Sequence, residues 1–113
     1  MRQIDAEDII QINAAICETF DEPSSVISED RLYSAISVFN SYFNSDNEVA
    51  SALFRSLILN HPFADGNKRT AIVVLYYMHP PNKAPEDIEN VAISIAKGEL
   101  KYVEDICKLL YET

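Results

Sequence analysis

The chain has 113 residues, of which 48% are apolar, and eighteen acidic against nine basic residues give a formal charge of −9. That is enough for one domain, residues 1–113, to bury a core without disulfides or metal. The acidic excess repels a phosphate backbone and excludes general nucleic-acid binding, and no segment approaches the ~18 apolar residues of a membrane span.

Cys17 and Cys107 lie in apolar helical patterns without CxxC spacing, and no early stretch has the make-up of a leader. Both thiols are expected to be reduced and buried, in a cytoplasmic protein. Only two glycines occur, Gly66 and Gly98, too few for the tight turns of a β-sandwich or barrel. The expected fold is therefore all-α, a compact bundle of helices joined by short loops.

From Asp5 to about Cys17, Ile9, Ile10, Ile12, Ala15 and Ile16 recur at helical spacing, with Asp5 and Asp8 arranged as N-cap and third-position acid. EPSSVIS breaks the pattern, and Ser28 caps a second helix carrying Leu32, Ile36 and Phe39 on one side. NSYFNSDNE, residues 40–48, suits a loop or short hairpin. A third helix, about 47–60, is apolar nearly all round and should run through the core, as should a fourth from about Asn67 to Met78, stopped by Pro80 and Pro81. Pro85 opens a fifth helix closed by Lys97 and Gly98, and the last, about 101–112, buries Val103, Ile106, Leu109 and Leu110. His79 reads as a solvated helix end.

Between the two central helices stands HPFADGNKRT, residues 61–70. The first N–H groups of the fourth helix, from Gly66, Asn67, Lys68 and Arg69, lack intrahelical partners and share the positive end of its dipole, which suits an anion such as phosphate. Gly66 permits close approach of the backbone, and Arg69 adds a forked cation. Asp65 beside a bound phosphate would repel it unless a cation intervened, and magnesium is typically held by one or two carboxylates together with phosphate oxygens. His61, at the other lip, is the only nearby side chain of a type that accepts protons near neutral pH. Phe63 packs inward and Pro62 stiffens the turn. Taken singly, each of these residues has an ordinary structural explanation. Together they include two cations at a helix start, which costs roughly 0.3–1 kcal/mol each when exposed. A local rule broken twice in one turn marks a functional site.

The turn resembles the signature of the Fic/Doc superfamily. The Doc-branch pattern HxFx(D/N)(A/G)NKR is matched at every fixed position by His61, Phe63, Asp65, Gly66, Asn67, Lys68 and Arg69. The opening MRQIDAEDIIQIN and the late AISIAKGELKYVEDICKLL also resemble the ends of Doc-like chains. The resemblance implies about six helices and a translation-inhibiting toxin held by an antitoxin acting in trans. It also implies ATP and Mg2+, with His61 as general base, Asp65 as metal ligand, Gly66 to Arg69 as phosphate cradle and Phe63 as anchor.

Fic adenylylating enzymes usually carry GNGR followed by a second arginine. Here Lys68 replaces the glycine and Ile72 the arginine. That departure resembles the members that transfer the γ-phosphate of ATP to a threonine of elongation factor Tu. Nucleotidyl transfer and a catalytically idle nucleotide-binding module are the alternatives. The resemblance further implies a target-aligning flap before the core helix, which puts Tyr42, Phe43 and Asn44 forward as peptide contacts. SVISED, residues 25–30, fails the inhibitory pattern (S/T)xxxE(G/N) at its last position.

Overall fold

Asp5 begins the first helix as its spacing predicts. Its carboxylate accepts the Asp8 N–H at 2.9 Å and the Asp8 carboxylate accepts the Asp5 N–H at 3.0 Å, so two otherwise unpartnered donors are satisfied reciprocally. In the computed structural model, which describes residues 1–112, this helix, α1, runs Ala6–Thr19. Ser28 caps α2, Glu29–Ile36, and Ser45 caps α3, Asp46–Asn60, each through its side-chain oxygen. Helices α4, Asn67–Met78, α5, Pro85–Ala96, and α6, Val103–Tyr111, complete an all-α bundle. Among the described residues the extended structure amounts to one isolated antiparallel bridge, Val26 with Phe63.

Helix α3 is the core element. It buries Ala50, Leu53, Phe54, Leu57 and Ile58 and packs against α2, α4, α5 and α6. Each such large apolar side chain contributes roughly 1.5–3 kcal/mol by leaving water. Helices α1 and α5 both pack on α4 but not on each other. A strip of α4 is left open between them, with Val73 and Tyr77 on exposed positions. The fourth helix is therefore central on one side only, contrary to its all-round apolar pattern.

Several local expectations change. The α-helical part of α2 ends at Ile36, and a 3-10 turn, Ser37–Asn40, follows, so Phe39 leaves the helix stripe and is partly exposed. Residues 41–45 form a loop without a hairpin, and α3 starts at Asp46. Leu109 faces out, while Ile106 and Leu110 carry the burial of α6. Cys17 is buried as expected and Cys107 only half-buried, and both are free thiols. On α1 the buried seam is Ile9, Asn13 and Cys17, a strict four-residue step, while Ala15 lies exposed. His79 is no solvated helix end. Its Nε2 lies 2.6 Å from Asn47 Oδ1, its ring packs on Tyr111, and the Tyr111 hydroxyl donates to its carbonyl at 2.7 Å. Those contacts tie the far end of α4 to α3 and α6.

Candidate active site

The chain leaves α3 through His61, which holds a left-handed conformation, φ 47° and ψ 59°. A non-glycine residue seldom takes that conformation, although histidine tolerates it better than most. Its position turns the chain sharply, and Pro62 cannot continue the helix. Pro62 and Phe63 are buried while His61 stays exposed, so the imidazole stands on a fixed support in contact with solvent. Phe63 is 2% exposed, which fits the expected anchor.

The turn is held from three directions. From within, the Asn67 side chain clasps Phe63: Oδ1 accepts the Phe63 N–H at 3.1 Å and Nδ2 donates to the Phe63 carbonyl at 2.9 Å. From one side, the segment before α2 runs along it, with the Ile27 N–H donating to the Pro62 carbonyl at 2.8 Å and the Ala64 N–H to the Ser25 carbonyl at 3.0 Å. From below, Asn13 of α1 donates through Nδ2 to the Asp65 carbonyl at 2.9 Å and to Thr70 Oγ1 at 3.1 Å. The Cys17 thiol donates to Asn13 Oδ1 at 3.7 Å, and burial first, then the carboxylates of Glu22 and Asp65, push its pKa up.

Gly66 is the N-cap of α4, left-handed at φ 74°, with no side chain capping the helix. A Cβ added there would meet Asn13 Nδ2 at 3.4 Å and Cys17 Sγ at 3.5 Å, on a backbone that L side chains rarely adopt. The first internal bond runs from the Thr70 N–H to the Gly66 carbonyl at 2.8 Å. The N–H groups of Asn67, Lys68 and Arg69 precede it and lie at the positive helix end. No acidic residue in the first turn offsets that charge. At this helix end Asn67 offers only its backbone N–H, since its side chain is committed to Phe63.

Asp65 to Arg69 form one end of a groove of about 590 Å³, within the range of small-molecule sites. The rest is walled by Ile16, Phe20, Ile72, Val73 and Ile93, with Glu22 and Glu89 as further acids. This is the strip that α1 and α5 leave open. The Arg69 guanidinium stacks over Phe20, 3.9 Å from the ring centre, and its Nη1 pairs with Glu22 Oε1 at 3.0 Å. It is not a free clamp, as the sequence alone implied, but one already oriented by two residues beyond α1. Lys68 is exposed beside it without an ion pair among the described residues.

The groove supplies Asp65 as a hard oxygen donor, and no group of three or more His, Cys, Asp or Glu among the described residues forms a closed metal cage. That donor set fits a magnesium ion, which is typically held by one or two carboxylates with phosphate oxygens and water.

Tyr42, Phe43 and Asn44 are in the wrong place for the flap role. They precede the N-terminus of α3, whereas His61 caps its C-terminus, and a helix of this length separates the two by about 22 Å. The segment that does run beside the turn is 25–28. Two further site residues escaped the sequence reading, Asn13 and Glu22. Asn13 sits in the four-residue seam with Ile9 and Cys17, a detectable signal, whereas nothing local points Glu22 at Arg69.

No curated protein matches the chain. The family model described as Fic/DOC family matches residues 3–79, from before α1 to the C-cap of α4. That stretch is well over half of the chain and contains the whole turn with the helices that carry it, so the protein belongs to the Fic/DOC family.

Proposed function

We propose that the protein is a Doc-type toxin enzyme that transfers the γ-phosphate of ATP to a Ser or Thr hydroxyl of a translation factor, elongation factor Tu in the family. Family membership supports the coarser part, a Fic-type transferase. The observation that carries the finer part is the pair Lys68 and Ile72. Lys68 replaces the small residue at the mouth of the cradle, and Ile72 presents hydrocarbon to the groove where a second arginine would bind inner phosphates. A triphosphate is thereby held by its outer end, with Arg69 on non-bridging oxygens and the backbone N–H groups on the terminal phosphate.

His61 accepts the proton of the target hydroxyl as that oxygen forms its bond to the γ-phosphorus, and the bond from the γ-phosphorus to the bridging oxygen breaks to release ADP. Asp65 would hold magnesium, which when bound neutralises charge on the phosphates. The left-handed backbone of His61 and the Asn67 clasp on Phe63 stiffen the turn, which supports a base and a cradle held at constant spacing. Control falls to a separate antitoxin protein, since SVISED departs from the inhibitory pattern at its last position, Asp30, and its residues 25–28 are engaged beside the turn.

Nucleotidyl transfer is the second reading, because an anion cradle alone does not dictate which phosphorus is attacked. ATP labelled separately at the α and γ positions distinguishes the two. Label from the γ position on the target supports phosphoryl transfer, and label from the α position supports the alternative.

A further inference from the structure

Asn13 is 1% exposed, a polar side chain inside an otherwise apolar helix seam. Burying an amide without partners is destabilising. Here every polar group of the side chain is used: Nδ2 donates to the Asp65 carbonyl and Thr70 Oγ1, and Oδ1 accepts from Cys17. The contact with Asp65 spans 52 residues of sequence and is made to a backbone atom.

The peptide between Asp65 and Gly66 is trans, as are all those described. In a trans peptide the C=O and N–H of one plane point in opposite directions. Asn13 holds the Asp65 carbonyl toward α1, so the Gly66 N–H is aimed away from α1. Glycine at 66 populates left-handed and right-handed backbone about equally, so the residue itself does not hold this plane, and apart from Asn13 the carbonyl meets only the weak Cys17 thiol donor at 3.8 Å. We propose that Asn13 is a positioning residue that locks the Asp65–Gly66 peptide plane and thereby sets the first N–H of the anion cradle. The functional consequence rests on reading the turn as a phosphate cradle; the orientation of the plane does not.

Thr70 is the control. Thr70→Val removes one acceptor of Asn13 and leaves its bond to Asp65 intact. A merely structural network predicts equal effects of N13A and T70V, whereas a peptide lock predicts that they differ. The direct readout is the residual dipolar coupling of the Gly66 N–H, with those of α5 and α6 as internal references. N13A is expected to average the Gly66 coupling toward zero while the references hold, and T70V to leave it at its wild-type value. An unchanged coupling in N13A, or an equal loss in T70V, overturns the proposal. Should N13A fold poorly, N13S, which is too short to span the gap, gives the same measurement.

The second readout is affinity for magnesium–ATP. Losing a hydrogen bond to a charged group is worth about 1.5–3 kcal/mol, so N13A should bind roughly 10- to 100-fold more weakly. A wild-type protein that neither binds nor transfers phosphate overturns the functional reading alone. Unchanged nucleotide affinity in an N13A protein whose Gly66 coupling has averaged overturns the cradle role of that N–H.

Discussion

Asn67 and Phe63 are joined by two hydrogen bonds, one in each direction, between the Asn67 amide and the Phe63 backbone. This clasp closes the turn on itself and holds the buried Phe63 two residues from the exposed His61. Asn67→Ala removes both bonds and strands two backbone groups in a part-buried position. At about 1 ± 0.5 kcal/mol per bond, with a further desolvation cost, a loss of roughly 2–3 kcal/mol is expected. Urea unfolding checks it through a lower midpoint at constant slope. Asn67→Asp should fare no better, because a carboxylate then faces the Phe63 carbonyl.

His61 separates activity from stability. It is exposed and makes no hydrogen bond among the described residues, so its removal should cost the fold little. Its left-handed backbone decides the choice of variant, since asparagine tolerates that conformation better than alanine. His61→Asn should lower the transfer rate roughly 100- to 10,000-fold, the usual general-base contribution. Its unfolding free energy should stay within about 0.5 kcal/mol of wild type. A large loss of stability with retained activity would make the histidine structural.

Glu22 and Arg69 are both partly exposed, with side chains 30% and 48% accessible, so their ion pair is worth only about 0.2–1 kcal/mol. Glu22 also brings a negative charge to the groove, which opposes the phosphates that the proposed function places there. Glu22→Gln keeps the shape and removes that charge. The KM for ATP should fall roughly two- to fivefold, in line with a pair of that strength. A rise in KM would instead identify Glu22 as the partner that keeps Arg69 in its working orientation over Phe20.

Stability should fall on the alkaline side. Burial first, then Glu22 and Asp65, raise the Cys17 thiol above its ordinary value of 9.0, and burial likewise raises Tyr111 above 10.0. The unfolded chain releases these protons at the ordinary values while the folded chain keeps them. Stability is therefore complete below about pH 9 and declines as pH rises past it, more steeply past about 10. Cys17→Ala should flatten the first part of that decline in urea titrations between pH 8.5 and about 10. An unaltered slope would assign the decline to other groups.

What could be read from the chain followed from local rules. Asp5 and Asp8, Ser28, Pro85 and Gly98 mark helix ends through contacts a few residues apart, and the structure has them there. Phe63 as anchor was legible because a large apolar residue in a polar turn must go inward. What was missed depends on contacts across the chain. Glu22 reaches Arg69 over 47 residues, and residues 25–28 pair with the turn through backbone atoms, which carry no sequence signal. Tyr42 to Asn44 follow from the resemblance, which expects a flap just before the core helix, whereas the length of α3 sets them at the end opposite His61. His79 was read from its neighbours alone, and its partners Asn47 and Tyr111 are each 32 residues distant.

In the proposed function, Lys68 is the residue that favours phosphoryl over nucleotidyl transfer. If crowding at the cradle mouth sets the direction of the triphosphate, Lys68→Gly should shift the product toward a nucleotidyl adduct while His61 remains necessary. Unchanged phosphoryl transfer in that variant would remove Lys68 from the account.

The most direct measurement is the intact mass of elongation factor Tu after incubation with the wild-type protein, ATP and magnesium, with His61→Asn as the blank. A gain of one phosphoryl group, absent from the blank, is the expected result. A gain of a whole nucleotidyl group, or an equal gain in the blank, would contradict it.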